Sequence, residues 1–216
     1  MTNRYWPLYG LRVRTPRLEL RLPGVELLDE MASVAAGGVH EPDRMPFSEA
    51  WTDGRPENVG RAVVQHVAGT VAAWSSRDWT LTLAVLHEGR VVGRQDLMAR
   101  DFGVRREVST GSWLGLPYQG RGIGTEMRAG ALHLAFAGLG ARYAVSQAMT
   151  DNPRSLGVSR RLGYTDDGLA TGAVRGGPVT LRRLRLDREQ WERHRTTEVA
   201  LEGLDGCRAD FGVERT

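Results

Sequence analysis

Ser112-Trp-Leu-Gly-Leu-Pro-Tyr-Gln119-Gly-Arg-Gly-Ile-Gly124-Thr125 is the stretch on which the fold turns. Its first residues close a strand pattern running from Arg106 to Leu116, and a helical pattern follows it to about Gly138. Between the two, alternating glycines let the backbone approach a ligand while its amides turn inward. The helix begins at its positive dipole end, with unpaired N–H donors, and Arg121 adds charge. This strand–turn–helix is suited to holding phosphates. It departs from the dinucleotide fingerprint G-x-G-x-x-G, because Thr125 stands at the third glycine position. A tight turn without a ligand is the plain alternative.

On the N-terminal side, Leu11 to Arg21 alternates apolar and charged residues, the period of a half-exposed strand, and Pro23-Gly24 stops it. Leu27, Leu28 and Met31 lie at helical spacing within Val25 to Ala36, and Gly37-Gly38 ends that helix. A loop rich in proline and aromatics runs from His40 to Pro56. A second helix is expected over Asn58 to Ser75, with Val63, His66, Val67, Thr70 and Trp74 on one stripe. Strands are expected at Trp79 to His87 and Val91 to Ala99, joined by the Glu88-Gly89-Arg90 turn. On the C-terminal side come a strand at Arg142 to Met149, a helix at Asn152 to Leu162 capped by Gly163, and a strand at Val179 to Leu186. These elements predict one α+β domain over residues 11–187 with a mostly antiparallel sheet. Residues 188–216 are expected to form a C-terminal tail, packed or at an oligomer interface, with a short helix around Trp191.

Composition narrows the function. With 216 residues, 41% hydrophobic and 25% charged, the chain suits one soluble globular domain. No apolar run approaches the ~18 residues of a membrane span, and Met1 to Tyr9 lacks the apolar core of a signal peptide. The lone Cys207 fits a reducing, cytoplasmic compartment. All 29 basic residues are arginine. A Walker A loop and Schiff-base chemistry, which need lysine, are therefore excluded. The net charge of +3, with acids interspersed among the arginines, gives no nucleic-acid footprint. No metal-ligand spacing and no G-x-S-x-G elbow occur, so no metal and no serine hydrolase are expected.

Gln119-x-x-Gly122-x-Gly124 resembles the coenzyme A signature of the GNAT N-acyltransferase superfamily. Asn152-Pro-Arg-Ser155-Leu-Gly-Val-Ser-Arg-Arg-Leu-Gly163-Tyr164 resembles its second hallmark, an Asn-led helix ending in Leu-Gly-Phe/Tyr. Thr15-x-Arg17-Leu-x-Leu20-Arg21 resembles the first strand of the branch that acetylates ribosomal-protein N-termini. Arg44-Met-Pro-Phe47, Trp51-Thr52, Ser112-Trp-Leu-Gly-Leu116 and Trp191-Glu-Arg-His-Arg195 are similar to an actinobacterial, mycobacterial succinyltransferase-type branch.

The resemblance implies a single GNAT-type domain, its mixed sheet splayed at the CoA site and flanked by about four helices. It implies acyl transfer from acetyl-CoA or succinyl-CoA to a primary amine, whether a protein N-terminus, a lysine or a small amine. A non-catalytic acyl-CoA sensor is the alternative, and a homodimer or higher homo-oligomer is expected. Pantetheine would lie between Trp113 to Leu116 and Tyr143 to Ala148, bonding to backbone at Leu114 and Leu116. Gln119, Gly120, Arg121, Gly122, Ile123, Gly124 and Thr125 would cradle the pyrophosphate, and Asn152 would bond a pantetheine amide. Arg154, Arg160 and Arg161 are candidates for the 3′-phosphate. The tyrosine that many members place beside the leaving sulfur is replaced by Ser159, and Ser155 is the catalytic candidate. Phe47, Trp51 and Trp74 would wall the acceptor pocket, and Arg94, Gln95 or Arg44 would meet a succinyl carboxylate. For the general base, Glu107, His87, Asp96, Asp166 and Asp167 stay open.

Overall fold

The computed structural model describes residues 3–213. In chain order its main elements are β1 (Arg12–Arg14), β2 (Leu18–Arg21), α1 (Val25–Ala36), α2 (Pro56–Ala72), β3 (Asp78–His87), β4 (Arg90–Arg100) and α3 (Phe102–Arg105). There follow β5 (Glu107–Leu114), α4 (Ile123–His133), β6 (Tyr143–Met149), α5 (Pro153–Arg161), β7 (Thr165–Val174), β8 (Gly177–Asp187), α6 (Arg188–His194) and β9 (Ala200–Glu202). The strands form one sheet in the order β7-β8-β6-β5-β4-β3-β2-β1-β9.

Every neighbouring pair is antiparallel except β5 and β6. Parallel neighbours need a crossover, and α4 supplies it. Pairing of β5 with β6 stops after Glu107–Tyr143, Val108–Ala144 and Ser109–Val145. Yet β5 continues to Leu114 and β6 to Met149, so the strands part towards their carboxyl ends. That is where open α/β sheets receive ligands.

Two apolar layers enclose the sheet. Met31, Ala35, Val59, Val63 and Val67 of α1 and α2 pack with Ala84, Leu86 and Trp113 on one face. Ile123, Met127 and Leu132 of α4 and Phe136 beyond it pack with Leu20, Leu83 and Leu97 on the other. β3 is buried almost throughout because both its faces are covered.

Three features depart from the sequence expectation. Leu11 to Arg21 is a hairpin rather than one strand, because Pro16 cannot donate to a ladder and Thr15 N–H closes the turn on Leu18 O at 2.9 Å. β7 carries no buried position, so it lacks the alternation that reveals a strand. The expectation of about four helices omits the single turn α3, between two left-handed residues, Asp101 and Arg106. Beyond Asp187, β9 pairs with β1 at the sheet edge, and Trp191, Leu204, Cys207 and Phe211 are buried.

Candidate active site

The turn before α4 is held in a shape that glycine permits. Gly120 and Gly122 have φ of +75° and +79°, and Gly122 is the N-cap of α4 with no side-chain cap. Thr125 and Glu126 N–H groups return to Gly122 O at 3.1 Å each. Among the described residues, the amides from Gly120 to Gly124 donate to no backbone or side-chain acceptor. The free donors and the helix dipole thus converge on one spot beside the parting of β5 and β6. A Cβ at Gly122 would lie 3.3 Å from Arg17 Nη2.

Glu126 in the first turn of α4 ties this helix to the β1–β2 hairpin. It accepts from Thr15 Oγ1 at 2.7 Å, Arg17 N at 2.9 Å and Arg17 Nε at 2.7 Å. Burial acts to raise its pKa, but these hydrogen bonds and the Arg17 charge outweigh burial and hold it below the ordinary value. Arg17 Nη1 also donates to Arg121 O at 3.1 Å, so its cation sits directly behind the turn.

Gln119 is a clasp. Its Nε2 donates to Val39 O at 2.7 Å and Leu114 O at 2.9 Å, while its Oε1 accepts from Arg154 at 2.9 Å. Leu116 N–H donates to Gly38 O at 3.0 Å and Leu116 O accepts from Gln119 N–H at 3.2 Å. The Leu116 N–H and the carbonyls of Leu116 and Leu114 thus each have a partner within the protein. The facing edges of Thr110–Trp113 and Ser146–Ala148, which do not pair with each other, are the backbone open to a ligand strand.

At the start of α5, Asn152 Oδ1 accepts from Ser155 N–H at 3.1 Å, an N-cap that leaves the Asn152 amide nitrogen available. The Ser155 hydroxyl has no hydrogen-bond partner among the described residues. Ser159 is fully buried, donates to Ser155 O at 3.1 Å and accepts from Arg128 Nη1 at 2.9 Å. Arg128, itself buried, reaches Ser112 Oγ at 3.3 Å and has no carboxylate partner among the described residues. Burial lowers its pKa, as burial raises that of neighbouring Tyr164.

Of the phosphate candidates, Arg161 reaches Thr125 Oγ1 at 3.4 Å, and Arg154 is spent on Gln119. Arg161 lines a cavity of about 570 Å³ with Arg17, Gly122, Thr125 and Glu126. Thr196, Thr197 and Glu198 close its far side, a contribution the sequence does not signal because they follow α6 in an irregular segment.

On the α1–α2 face, Phe47, Trp51 and Trp113 form a ladder with ring centroids 5.3 and 5.9 Å apart. Trp74 is not part of it. It stacks on Trp79 at 5.8 Å and donates to Asp210 O at 2.9 Å, so it fills the core beneath the C-terminal segment, apart from the Phe47–Trp51–Trp113 ladder. Arg44 donates to the Asp151 carbonyl, spanning from the aromatic loop to the start of α5. Gln95 is fully buried and spends its Nε2 on Asp96 O and Gly111 O.

Arg94 Nη2 lies 3.0 Å from Asp96 Oδ2, and His66 Nε2 lies 3.9 Å from the same oxygen. Burial first, then Arg94, push the His66 imidazole below its ordinary value, against the pull of Asp96 and Glu49. His66 is absent from the base candidates drawn from sequence, because its place on a helical stripe gives it the pattern of a packing residue. Glu107 is bound by Arg105 at 2.7 Å and Arg185 at 3.0 Å, and Asp166 by Arg182 and the Gly168 amide. Among the described residues no helix is long and apolar enough to cross a membrane, and no three acidic, His or Cys groups cluster as a metal site would.

The family described as acetyltransferase (GNAT) domain matches residues 17–165. Among solved structures, RimJ of Mycobacterium smegmatis, in complex with CoA-disulfide, has a TM-score of 0.69 at 16% identity, covering 94% of this chain and 95% of that one. A GCN5-related N-acetyltransferase from Brucella melitensis has 0.66 at 20% identity, with 84% and 80% covered. RimL, a ribosomal L7/L12 alpha-N-protein acetyltransferase solved with coenzyme A, has 0.62 at 17% identity, with 80% and 95% covered. At such identities these neighbours speak for the fold, whereas the family match spans most of the chain. With the strand–turn–helix, the parted strands and the Asn-led helix in register with that match, this chain belongs to the GNAT acetyltransferase domain family.

Proposed function

We propose that the protein transfers a short acyl group from acyl-CoA to a primary amine by direct attack on the thioester. The observation that carries this reading is the free-donor turn Gly120–Gly124 lying beside the gap between β5 and β6. Pyrophosphate binds those amides, Arg161 and Arg17 add positive charge, and pantetheine runs along the unpaired strand edges. Asn152 and Ser155 then flank the thioester end, with Ser155 Oγ the donor to the leaving sulfur. A thiol with a reference pKa near ~8.5 needs no stronger acid than this.

Phe47, Trp51 and Trp113 wall the acceptor entrance. The acceptor is an α-amine, a reading supported by the likeness to RimL, a ribosomal L7/L12 alpha-N-protein acetyltransferase. Its reference pKa of roughly 7.7–8.0, against roughly 10.4 for lysine, makes the neutral nucleophile accessible near pH 7. Two donors fit, acetyl-CoA and succinyl-CoA. Support for the second comes from Arg44, because Arg94 already neutralises Asp96. A buried succinyl carboxylate without a cation would cost several kcal/mol.

One experiment tests these assignments together. Acetyl-CoA and succinyl-CoA compete for a peptide with a free N-terminus, and products are separated by mass. Wild-type protein forms an acyl peptide, and Gly122→Val, strained by its left-handed φ and crowding Arg17, keeps its circular dichroism but loses CoA binding. Arg44→Ala loses succinyl product selectively. Normal CoA binding by Gly122→Val overturns the site, and an unchanged product ratio in Arg44→Ala overturns the role of Arg44.

A further inference from the structure

We propose that His66 takes the proton from the acceptor amine, with Asp96 and Arg94 as the residues that position it. The inference rests on the acyltransferase reading and names the base of that same site.

Asp96 lies where such a group is needed. Its side chain is 5% exposed, and its β5 partner in the sheet is Gly111. A Cβ at Gly111 would stand 3.8 Å from Asp96 Oδ2, so the carboxylate lies over that strand. Gly111 is two residues past Ser109, where pairing with β6 ends, and two before Trp113 of the aromatic ladder. The carboxylate thus sits between the gap that receives the thioester and the entrance that receives the amine.

Asp96 is itself poorly placed to take the proton, because Arg94 holds one of its oxygens at 3.0 Å. Its other oxygen, Oδ1, is buried without a partner, as is Arg94 Nε. His66 answers this arrangement from α2. At 3.9 Å the contact is electrostatic rather than a hydrogen bond, and it favours the tautomer with Nε2–H towards Asp96 and a basic Nδ1. The charged groups facing the ring are Arg94 and Asp96 of β4 and Glu49 of the aromatic loop. The ring is 40% exposed, which gives the proton a route to water. Of the other candidate bases, Glu107 and Asp166 are held by arginines, and His87 lies opposite Leu18 in the sheet at the far end of β3.

In the step, the amine nitrogen forms a bond to the thioester carbonyl carbon and the C–S bond breaks. The electron pair leaves on the CoA sulfur, and the amine proton passes to His66 Nδ1 and on to solvent. The sulfur leaves as the thiolate, hydrogen-bonded by Ser155 Oγ, and takes its proton from solvent.

The pH dependence of kcat/KM tests this with a peptide acceptor. Both the amine and His66 must be neutral, so log kcat/KM rises with slope two below the His66 pKa and slope one between it and the amine pKa. We expect that break in wild type below the ordinary histidine value near ~6.5. His66→Gln should lower kcat/KM on the order of 10²-fold, show slope one throughout, and leave CoA affinity unchanged. Asp96→Asn should move the break to lower pH and Arg94→Gln to higher pH, opposite shifts that a merely structural role does not produce. Imidazole should restore activity to His66→Gly. A wild-type rate and slope in His66→Gln overturn the proposal. If wild type itself acylates no amine while binding CoA, the acyltransferase reading fails instead.

Discussion

The Ser155 hydroxyl has no hydrogen-bond partner among the described residues, although its own N–H is fixed by Asn152 at 3.1 Å. A hydroxyl held on a capped helix turn and left undonated is available to a sulfur that becomes anionic only as the thioester breaks. Removing an interaction made only in the transition state lowers kcat without changing ground-state binding. Ser155→Ala should therefore lower kcat by roughly 10–10²-fold and leave the Kd for CoA within about twofold. Single-turnover kinetics with calorimetric binding checks this, and equal losses in both reassign Ser155 to binding. Its neighbour Ser159 has no such freedom, since both its bonding directions are used by Ser155 O and Arg128.

The elements around the phosphate turn are stitched by a carboxylate. Glu126 anchors α4 to the β1–β2 hairpin through Thr15 and Arg17, and its pKa is held below the ordinary value. A carboxylate with a folded pKa below its unfolded pKa stabilises the fold above the unfolded pKa, and that stability is lost as pH falls through the folded pKa. Urea midpoints of wild type should thus decline as pH falls below about 4.5, and part of that decline should be missing in Glu126→Gln, which is less stable at neutral pH. Parallel curves for the two proteins would sink the assignment. The same variant loosens the turn that Arg17 backs, so CoA affinity falls with it.

At the scale of the molecule, the segment after Asp187 is part of the core. Trp191 stacks on Phe136 at 5.0 Å, Phe211 packs edge-on against Trp79 at 5.0 Å, and β9 extends the sheet beyond β1. Each such large apolar side chain contributes about 1.5–3 kcal/mol on burial, against a typical net stability of about 5–15 kcal/mol. A chain ending at Asp187 should lose most of its near-ultraviolet circular dichroism and its cooperative melt. A truncated chain with native spectra and an unchanged Tm would return residues 188–213 to the status of an appendage.

The sequence by itself determined the elements whose signals are local. Val25 to Ala36 emerges with the ends its Pro-Gly entry and Gly-Gly exit foretell, and Gln119 to Gly124 declares its turn because φ near +75° selects glycine at Gly120 and Gly122. Asn152 declares its cap because its side-chain oxygen can accept the free Ser155 N–H of the first turn. Tertiary structure alone decided which side chains share a site. Trp74 and Trp113 are equally aromatic in sequence, yet one packs beneath the C-terminal segment and the other joins the Phe47–Trp51 ladder. Leu116 offers the same backbone groups as any strand residue until Gly38 and Gln119 take them. His66 and Asp96, thirty positions apart on a helix and a strand, meet only because α2 packs over β3, the neighbour of β4, and no local pattern encodes a contact made by packing.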